Sequence, residues 1–191
     1  PHIILVPEVP FAKKKFINKV KQTVANEGFC VVVASEGARY KNGMFLADSG
    51  LTDAFGHKQL GGVAPVLAQM ISSIGLKNHW AVSDYLQRSA RHISSKTDLD
   101  QAYAVGKKAV EFALAGKNAV MPVIKRLSNK PYKWKIEAAS LSKVANLEKT
   151  LPKGYISKDG FTISSKGIDY LTPLIQGCLL YTSDAADDSL R

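Results

Sequence analysis

The stretch Trp80-Ala-Val-Ser-Asp-Tyr85-Leu-Gln-Arg88-Ser-Ala-Arg91-His92 holds the residues of this chain best suited to chemistry. Tyr85 and Arg88 lie three apart, so on a turn or a first helical coil they project from one face and can reach one ligand together. A guanidinium presents a planar fork of donors that matches phosphate, and a phenol hydroxyl adds one directional bond. Phosphate is therefore the first ligand to consider. A plainer reading makes Arg88, Arg91 and His92 the solvated face of a short helix, and spacing alone leaves both open.

Other positions assist or compete. Glu8 follows the apolar run His2-Ile-Ile-Leu-Val-Pro7, which reads as a buried strand that Pro7 ends. Ligands of open α/β sheets gather at the carboxyl edge of the strands, and a carboxylate there can accept hydrogen bonds from sugar hydroxyls. Glu8 could equally act as a negative charge near the N-terminus of the next helix. Lys77 and His79 stand near the start of a strand expected over Leu76 to Ser83, where a half-buried position is the plainer reading for His79. The segment Gly56-His57-Lys58-Gln59-Leu60-Gly61-Gly62 competes for phosphate, but it has the spacing of neither a Walker loop nor a dinucleotide fingerprint.

These side chains need a scaffold, and the hydrophobic pattern implies one. Phe11 to Asn26 sets Phe11, Ile17, Val20 and Val24 against lysines, the pattern of an amphipathic surface helix whose Lys13, Lys14 and Lys15 form a solvated face. Gly28 stops it, and Phe29 to Ala34 is a second buried strand, so strand, helix and strand make one βαβ unit with a parallel sheet. Residues 38 to 54, rich in Gly, Asn, Asp and Ser, read as a long excursion before a helix over Val63 to Ile74, with Gly61 and Gly62 permitting tight packing at its entrance. Beyond the third strand, Thr97-Asp98 caps a helix that runs through Ala102, Val105, Ala109, Val110, Phe112 and Leu114 to a stop at Gly116. Ala119 to Ile124 is a fourth strand, in which Pro122 marks an edge or a strand end. Tyr132-Lys-Trp134-Lys-Ile136 alternates apolar and basic residues as a half-exposed strand; its lysines protect an edge, although such interleaving could also stack on nucleic acid. Short helices over Leu141 to Lys149 and Lys166 to Gln176 close the unit. The expected architecture is a three-layer, Rossmann-like α/β unit with a mostly parallel sheet.

Composition bounds the function. The 191 residues suffice for one good core and are short for two full domains. Apolar residues at 46% and charged residues at 22% are ordinary for a soluble protein, and no run of about 18 uncharged apolar residues offers a membrane span. The chain begins at Pro without a signal pattern, and it is expected to be cut from something longer. Cys30 and Cys178 make neither a disulfide framework nor a metal-ligand spacing, so a reducing cytoplasm is expected. With 26 Lys plus Arg against 16 Asp plus Glu, the net charge of +10 suits anionic partners. The basic residues are spread along the chain, which argues against nucleic acid. From Cys178 to Arg191 the character changes abruptly to that of translated adapter read-through, leaving residues 1–177 as the folded part.

Asp84-Tyr85-Leu-Gln-Arg88, the upstream Leu5-Val-Pro-Glu8, and Lys96-Thr-Asp98-Leu-Asp-Gln-Ala-Tyr103-Ala-Val-Gly106 together resemble the 6-phosphofructokinases, most of all the diphosphate-dependent ones. The resemblance runs from about Pro1 to Gly177 and covers only the second half of that family's chain, its sugar-phosphate-binding half. It implies a parent that moves a phosphoryl group reversibly between diphosphate and the 1-hydroxyl of fructose 6-phosphate, giving fructose 1,6-bisphosphate, with magnesium. It implies that Glu8 contacts the sugar, that Tyr85 and Arg88 hold the phosphate, and that Lys77 or His79 meets the 6-phosphate from a neighbouring subunit of a homo-oligomer. The donor site, the catalytic aspartates and the bound Mg2+ belong to the family's first half, so neither catalytic nor metal-binding residues are expected here and the fragment alone is expected to be inactive. The Gly56 to Gly62 segment partly echoes one of the ATP-dependent members, which makes it a competitor for the phosphate site, and ATP stays open as the donor because the residues that separate it from diphosphate belong to the family's first half. A basic α/β module that binds RNA or regulates without catalysis is the alternative of a different class.

Overall fold

The computed structural model describes residues 1–52, 58–60, 62–89 and 94–176. They fall into two compact units, one made by Pro1–Asp84 with Thr150–Ser164, the other by Tyr85–Lys149 with the residues from Ser165 onward.

In the first unit, β1 (Ile3–Leu5) and β2 (Val32–Ala34) pair in parallel, Ile3 opposite Val32 and Leu5 opposite Ala34, and α1 (Lys13–Glu27) joins them. This is the expected βαβ unit. Gly28 ends α1 in the left-handed region at φ +80°, and its N–H bonds the Val24 carbonyl. Three lysines open α1 with no acid in its first turn, an arrangement the helix dipole disfavours, so burial must hold this helix. Phe16 and Val20 supply it, entering a core with Ile3, Leu5, Phe11, Leu46, Val63 and Leu67. The Phe16 ring is wholly buried with its centroid 5.4 Å from that of Phe11; removing such a ring from water contributes about 2–3 kcal/mol.

The rest of this unit departs from expectation in three places. Phe29, Val31 and Val33 are exposed, because among the described residues β2 is bonded only to β1 and one of its faces has no cover. The excursion over residues 38 to 54 contains β3 (Asp48–Thr52), which pairs antiparallel with β4 (Lys58–Leu60) and carries a register shift between Asp48 and Leu51. After α2 (Val63–Ser72), which buries Val63 and Leu67, no strand forms over Leu76 to Ser83. A strand exists only through ladder partners, and Trp80 and Val82, suited to a sheet interior, are instead 56% and 58% exposed.

The second unit contains α3 (Leu86–Ser89), α4 (Lys96–Leu114), β5 (Val120–Asn129), β6 (Tyr132–Ser140) and α5 (Ser165–Leu171). β5 and β6 form an antiparallel ribbon from Val120 opposite Ser140 to Asn129 opposite Tyr132, turned at a cis Lys130–Pro131 bond. Pro122 sits in β5, where a two-stranded ribbon leaves an unpaired edge. α4 lies against the ribbon, burying Phe112 and Gln101, whose Nε2 donates to the Tyr132 hydroxyl at 2.6 Å. Its N-cap is Ser95, not Thr97: neither hydroxyl caps the helix, because Ser95 Oγ donates to the Gln176 carbonyl and Thr97 Oγ1 to that of Pro173, both at 3.1 Å. The helix expected over Leu141 to Lys149 shrinks to a 3-10 turn, Leu141–Lys143, and the last one divides into α5 and a 3-10 turn, Thr172–Ile175.

The chain is thus an α/β protein, its parallel pairing lying at β1 and β2. Among the described residues no helix is long and apolar enough to cross a membrane. The segment from Cys178 to Arg191 lies outside the described residues.

Candidate functional site

Glu8 sits exposed in the turn after β1, at the carboxyl edge where the strand was expected to deliver it. It does not cap α1, which starts after Ala12 with no side-chain cap bond. Its Oε1 accepts the Leu151 N–H at 2.8 Å, holding the Thr150–Ser164 segment against the end of β1. A carboxylate can accept about four hydrogen bonds, so this contact leaves capacity for a ligand hydroxyl.

Beside it a cavity of about 70 Å3 is lined by Leu5, Val9, Phe11, Lys15, Asp159 and Phe161. That volume suits about two water molecules; a small-molecule site needs roughly 300 Å3 or more. It is closed by a turn that the sequence reading passed over, although Ser157-Lys-Asp-Gly160 is a turn signature. The Ser157 hydroxyl and the Phe161 N–H donate to Asp159 Oδ1, and Lys19 Nζ lies 3.8 Å from Oδ2. These hold the Asp159 carboxyl below the ordinary carboxylate range, the Ser157 bond contributing most. Gly160, at φ +80°, lies so close to Val9 that a Cβ would stand 3.0 Å from Val9 Cγ1. The Phe161 carbonyl in turn accepts the Ile4 N–H at 2.7 Å.

Lys77 and His79 are both exposed, so the half-buried position suggested for His79 is not found. They flank Asn78, whose Nδ2 donates to Ser72 Oγ at 2.8 Å and to the Ala68 carbonyl at 3.3 Å. The amide ties this segment to the end of α2 and leaves both basic residues at the surface.

Asp84 takes φ +44°, a left-handed conformation uncommon outside glycine, and thereby turns the chain into α3. Tyr85 follows at 67% exposure, and its carbonyl accepts the Ser89 N–H at 3.1 Å, closing one helical turn. Arg88 lies within that turn on α3, so the local geometry expected for the Tyr85 and Arg88 pair is present in the backbone. Arg91, His92, Gly56, His57 and Gly61 lie outside the described residues; of the competing glycine-rich segment, Lys58–Leu60 form β4. Glu8, Lys77 and His79 belong to the first unit, Tyr85 and Arg88 to the second.

Among the described residues no three His, Cys, Asp or Glu side chains come together so as to hold a metal ion. The depressed carboxyls elsewhere are surface pairs: Lys108 lowers Glu111, and Lys135 with Lys125 lowers Glu137. Burial pushes the Cys30 thiol up, away from a reactive thiolate.

No family model matches the chain. Over 178 residues it is 60% identical to a pyrophosphate–fructose 6-phosphate 1-phosphotransferase of Halomonas elongata, a match that covers 93% of this chain and 42% of that protein. Among solved structures, the pyrophosphate-dependent phosphofructokinases of Marinobacter aquaeolei and Nitrosospira multiformis superpose with TM-scores of 0.75 and 0.76 at 53% and 50% identity. Each match covers 93% of this chain and 41% of the other. The chain spans about two fifths of the length of the relatives it matches, in their C-terminal part.

Proposed function

We propose, for a chain that belongs to the 6-phosphofructokinase family over its matched residues, that it is the sugar-phosphate half, residues 1–177, of an enzyme using diphosphate. The parent transfers a phosphoryl group from diphosphate to the 1-hydroxyl of fructose 6-phosphate and runs the reaction in reverse from fructose 1,6-bisphosphate. The observation that carries this reading is the 60% identity to a protein named for that donor and acceptor. In such chemistry catalysis is mostly positioning and charge neutralisation, which is the part this chain's residues would supply.

Arg88 places its guanidinium fork on the substrate phosphate and Tyr85, three residues earlier, adds a hydroxyl bond. Glu8 accepts from the sugar hydroxyls with the capacity left by Leu151. Lys77 or His79 reaches the 6-phosphate bound by a neighbouring subunit of a homo-oligomer. Magnesium and the reacting diphosphate sit on the remainder of the parent, in a cytoplasmic enzyme. The one-turn geometry at Tyr85, the spare acceptors of Glu8 and the surface placement of Lys77 and His79 support these roles.

The test uses the full-length parent. Arg88→Lys keeps the charge and loses the bidentate fork, so kcat/KM for fructose 6-phosphate should fall about ten- to a hundredfold, the equivalent of roughly 1.5–3 kcal/mol. The KM for diphosphate should not move, and Arg91→Lys should do little. A silent Arg88→Lys would place the phosphate elsewhere, and turnover with ATP faster than with diphosphate would overturn the donor.

A further inference from the structure

The segment Thr150–Ser164 rejoins the first unit after the chain has left it at Asp84, and it grips the stretch that carries Glu8 on both sides. Before Glu8, the Ile4 N–H donates to the Phe161 carbonyl at 2.7 Å along the edge of β1 that β2 leaves free. After Glu8, Gly160 packs so closely on Val9 that a Cβ there would force a shift. On Glu8 itself, the Leu151 N–H donates to Oε1 at 2.8 Å. Asp159 anchors the same segment, taking the Ser157 hydroxyl and the Phe161 N–H on Oδ1, with Lys19 of α1 3.8 Å from Oδ2.

The donor on Glu8 is itself fixed. Leu151 precedes Pro152, which restricts its backbone to extended conformations. The next residues close a tight turn: the Tyr155 N–H bonds the Pro152 carbonyl at 3.2 Å, and Gly154 supplies φ +87° at the turn's third position, where an L side chain would be strained. Ser164 ties the far end of the segment back to that turn, its N–H donating to the Tyr155 carbonyl at 2.9 Å and its hydroxyl to the Gly154 carbonyl. A main-chain N–H in such a frame has one direction, whereas a glutamate side chain on an exposed turn has several torsions to lose. With Oε1 so held, the Glu8 carboxylate is oriented before any ligand arrives.

We propose that Thr150–Ser164 is a positioning strap for the Glu8 carboxylate, with Leu151 acting through its main-chain N–H and Gly160 through its seat on Val9. The inference rests on the reading of Glu8 as the acceptor for the sugar hydroxyls, and it adds what makes that acceptor effective. A side chain ordered beforehand loses no freedom when the sugar binds, and such preorganisation of one long side chain contributes about three- to tenfold in affinity. Because the restraint acts alike on the bound sugar and on the transition state, its loss raises KM and leaves kcat in place. A strap that only held the unit together would lower the melting temperature, and any effect it had on the sugar would not depend on Glu8.

The experiment is a double-mutant cycle in the full-length parent, assayed well below every variant's melting temperature. Incorporating the α-hydroxy analogue of leucine at position 151 turns the amide into an ester and deletes the N–H alone, leaving the Glu8 side chain unchanged. The KM for fructose 6-phosphate should rise about three- to tenfold, the cost of ordering one side chain, with kcat and the KM for diphosphate unmoved. Gly160→Ala, which displaces the strap from Val9 and deletes no bond to Glu8, should move the same constant in the same direction. In a Glu8→Ala background, where there is no carboxylate to orient, neither change should alter the KM for fructose 6-phosphate. If Glu8→Ala raises that KM while the ester and Gly160→Ala do not, the sugar contact stands and the strap proposal is overturned. Equal rises with and without Glu8, or a fall in kcat alone, would overturn it as well, since the strap would then act on the structure at large. A silent Glu8→Ala would overturn the sugar contact and the proposal together.

Discussion

Arg126→Lys tests how the second unit is held together. Arg126 Nη1 donates to Asn129 Oδ1 at 3.0 Å and to the Tyr170 carbonyl at 2.8 Å, while its guanidinium lies 3.8 Å from the Tyr170 ring centroid and 4.8 Å from that of Tyr132. The flat, delocalised cation can stack between two rings and bond in its own plane at once; a lysine ammonium on a flexible stem cannot. Each stacking contact at a partly exposed site contributes about 0.5–1 kcal/mol, and a charge-assisted hydrogen bond, discounted for partial exposure, about 1 kcal/mol. Lysine keeps part of this, so the loss should be about 2 kcal/mol, which in a unit of this size lowers Tm by about 10 °C. Trp134 lies opposite Arg126 in the ladder, so its fluorescence in a Trp80→Phe background follows this unit through a urea titration. Lys125→Met is the control: its ion pair with Glu137 at 3.2 Å is exposed, and its loss should change little. Equal losses for the two variants would refute the reasoning, because the clamp would then be no more than another surface charge.

Three further outcomes follow from the first unit and the turn at Asp84. Gly160→Ala forces a side chain into a left-handed backbone 3.0 Å from Val9 Cγ1 and should cost about 1–3 kcal/mol in chemical denaturation; wild-type stability would mean the turn is not as described. The Asp159 carboxyl has its folded pKa depressed, chiefly by the Ser157 hydroxyl, so its contribution is present above about pH 4, the ordinary aspartate range, and is lost as the pH falls through the lower folded value. Asp159→Asn should therefore be less stable than wild type at pH 7 and should converge with it toward pH 2, a convergence that parallel denaturation curves at the two pH values would check. At Asp84, where φ is +44°, Asp84→Gly should be tolerated while Asp84→Val should lose about 1–2 kcal/mol and raise the KM for fructose 6-phosphate in the parent; a harmless Asp84→Val would remove the argument for that turn.

Several elements were legible because their signals are local. α1 follows from its apolar spacing and from Gly28, which stops a helix wherever its left-handed conformation is reached. β6 follows from period-two alternation, since neighbouring side chains of any strand alternate faces. The hairpin of β3 and β4 was hidden, because its residues carry turn-like composition and its stability comes from cross-strand bonds rather than from either strand alone. The strand expected over Leu76 to Ser83 has the right composition and no ladder partner among the described residues, and composition cannot furnish the partner. The cap misassigned to Thr97 fails for the same reason: its hydroxyl found the Pro173 carbonyl, 76 residues away.

The candidate site divides along the same line. The sequence by itself determined that Glu8 stands at the end of a parallel strand and that Tyr85 and Arg88 share one helical turn, because both depend on backbone geometry over a few residues. Only the tertiary structure decided that Glu8 is engaged by Leu151, 143 residues later, that Phe161 bonds the free edge of β1, and that Arg126 reaches Tyr170 across 44 residues. Such contacts are chosen by the summed energy of the whole chain against loop-closure entropy, which grows slowly with separation, so no window of local sequence specifies them.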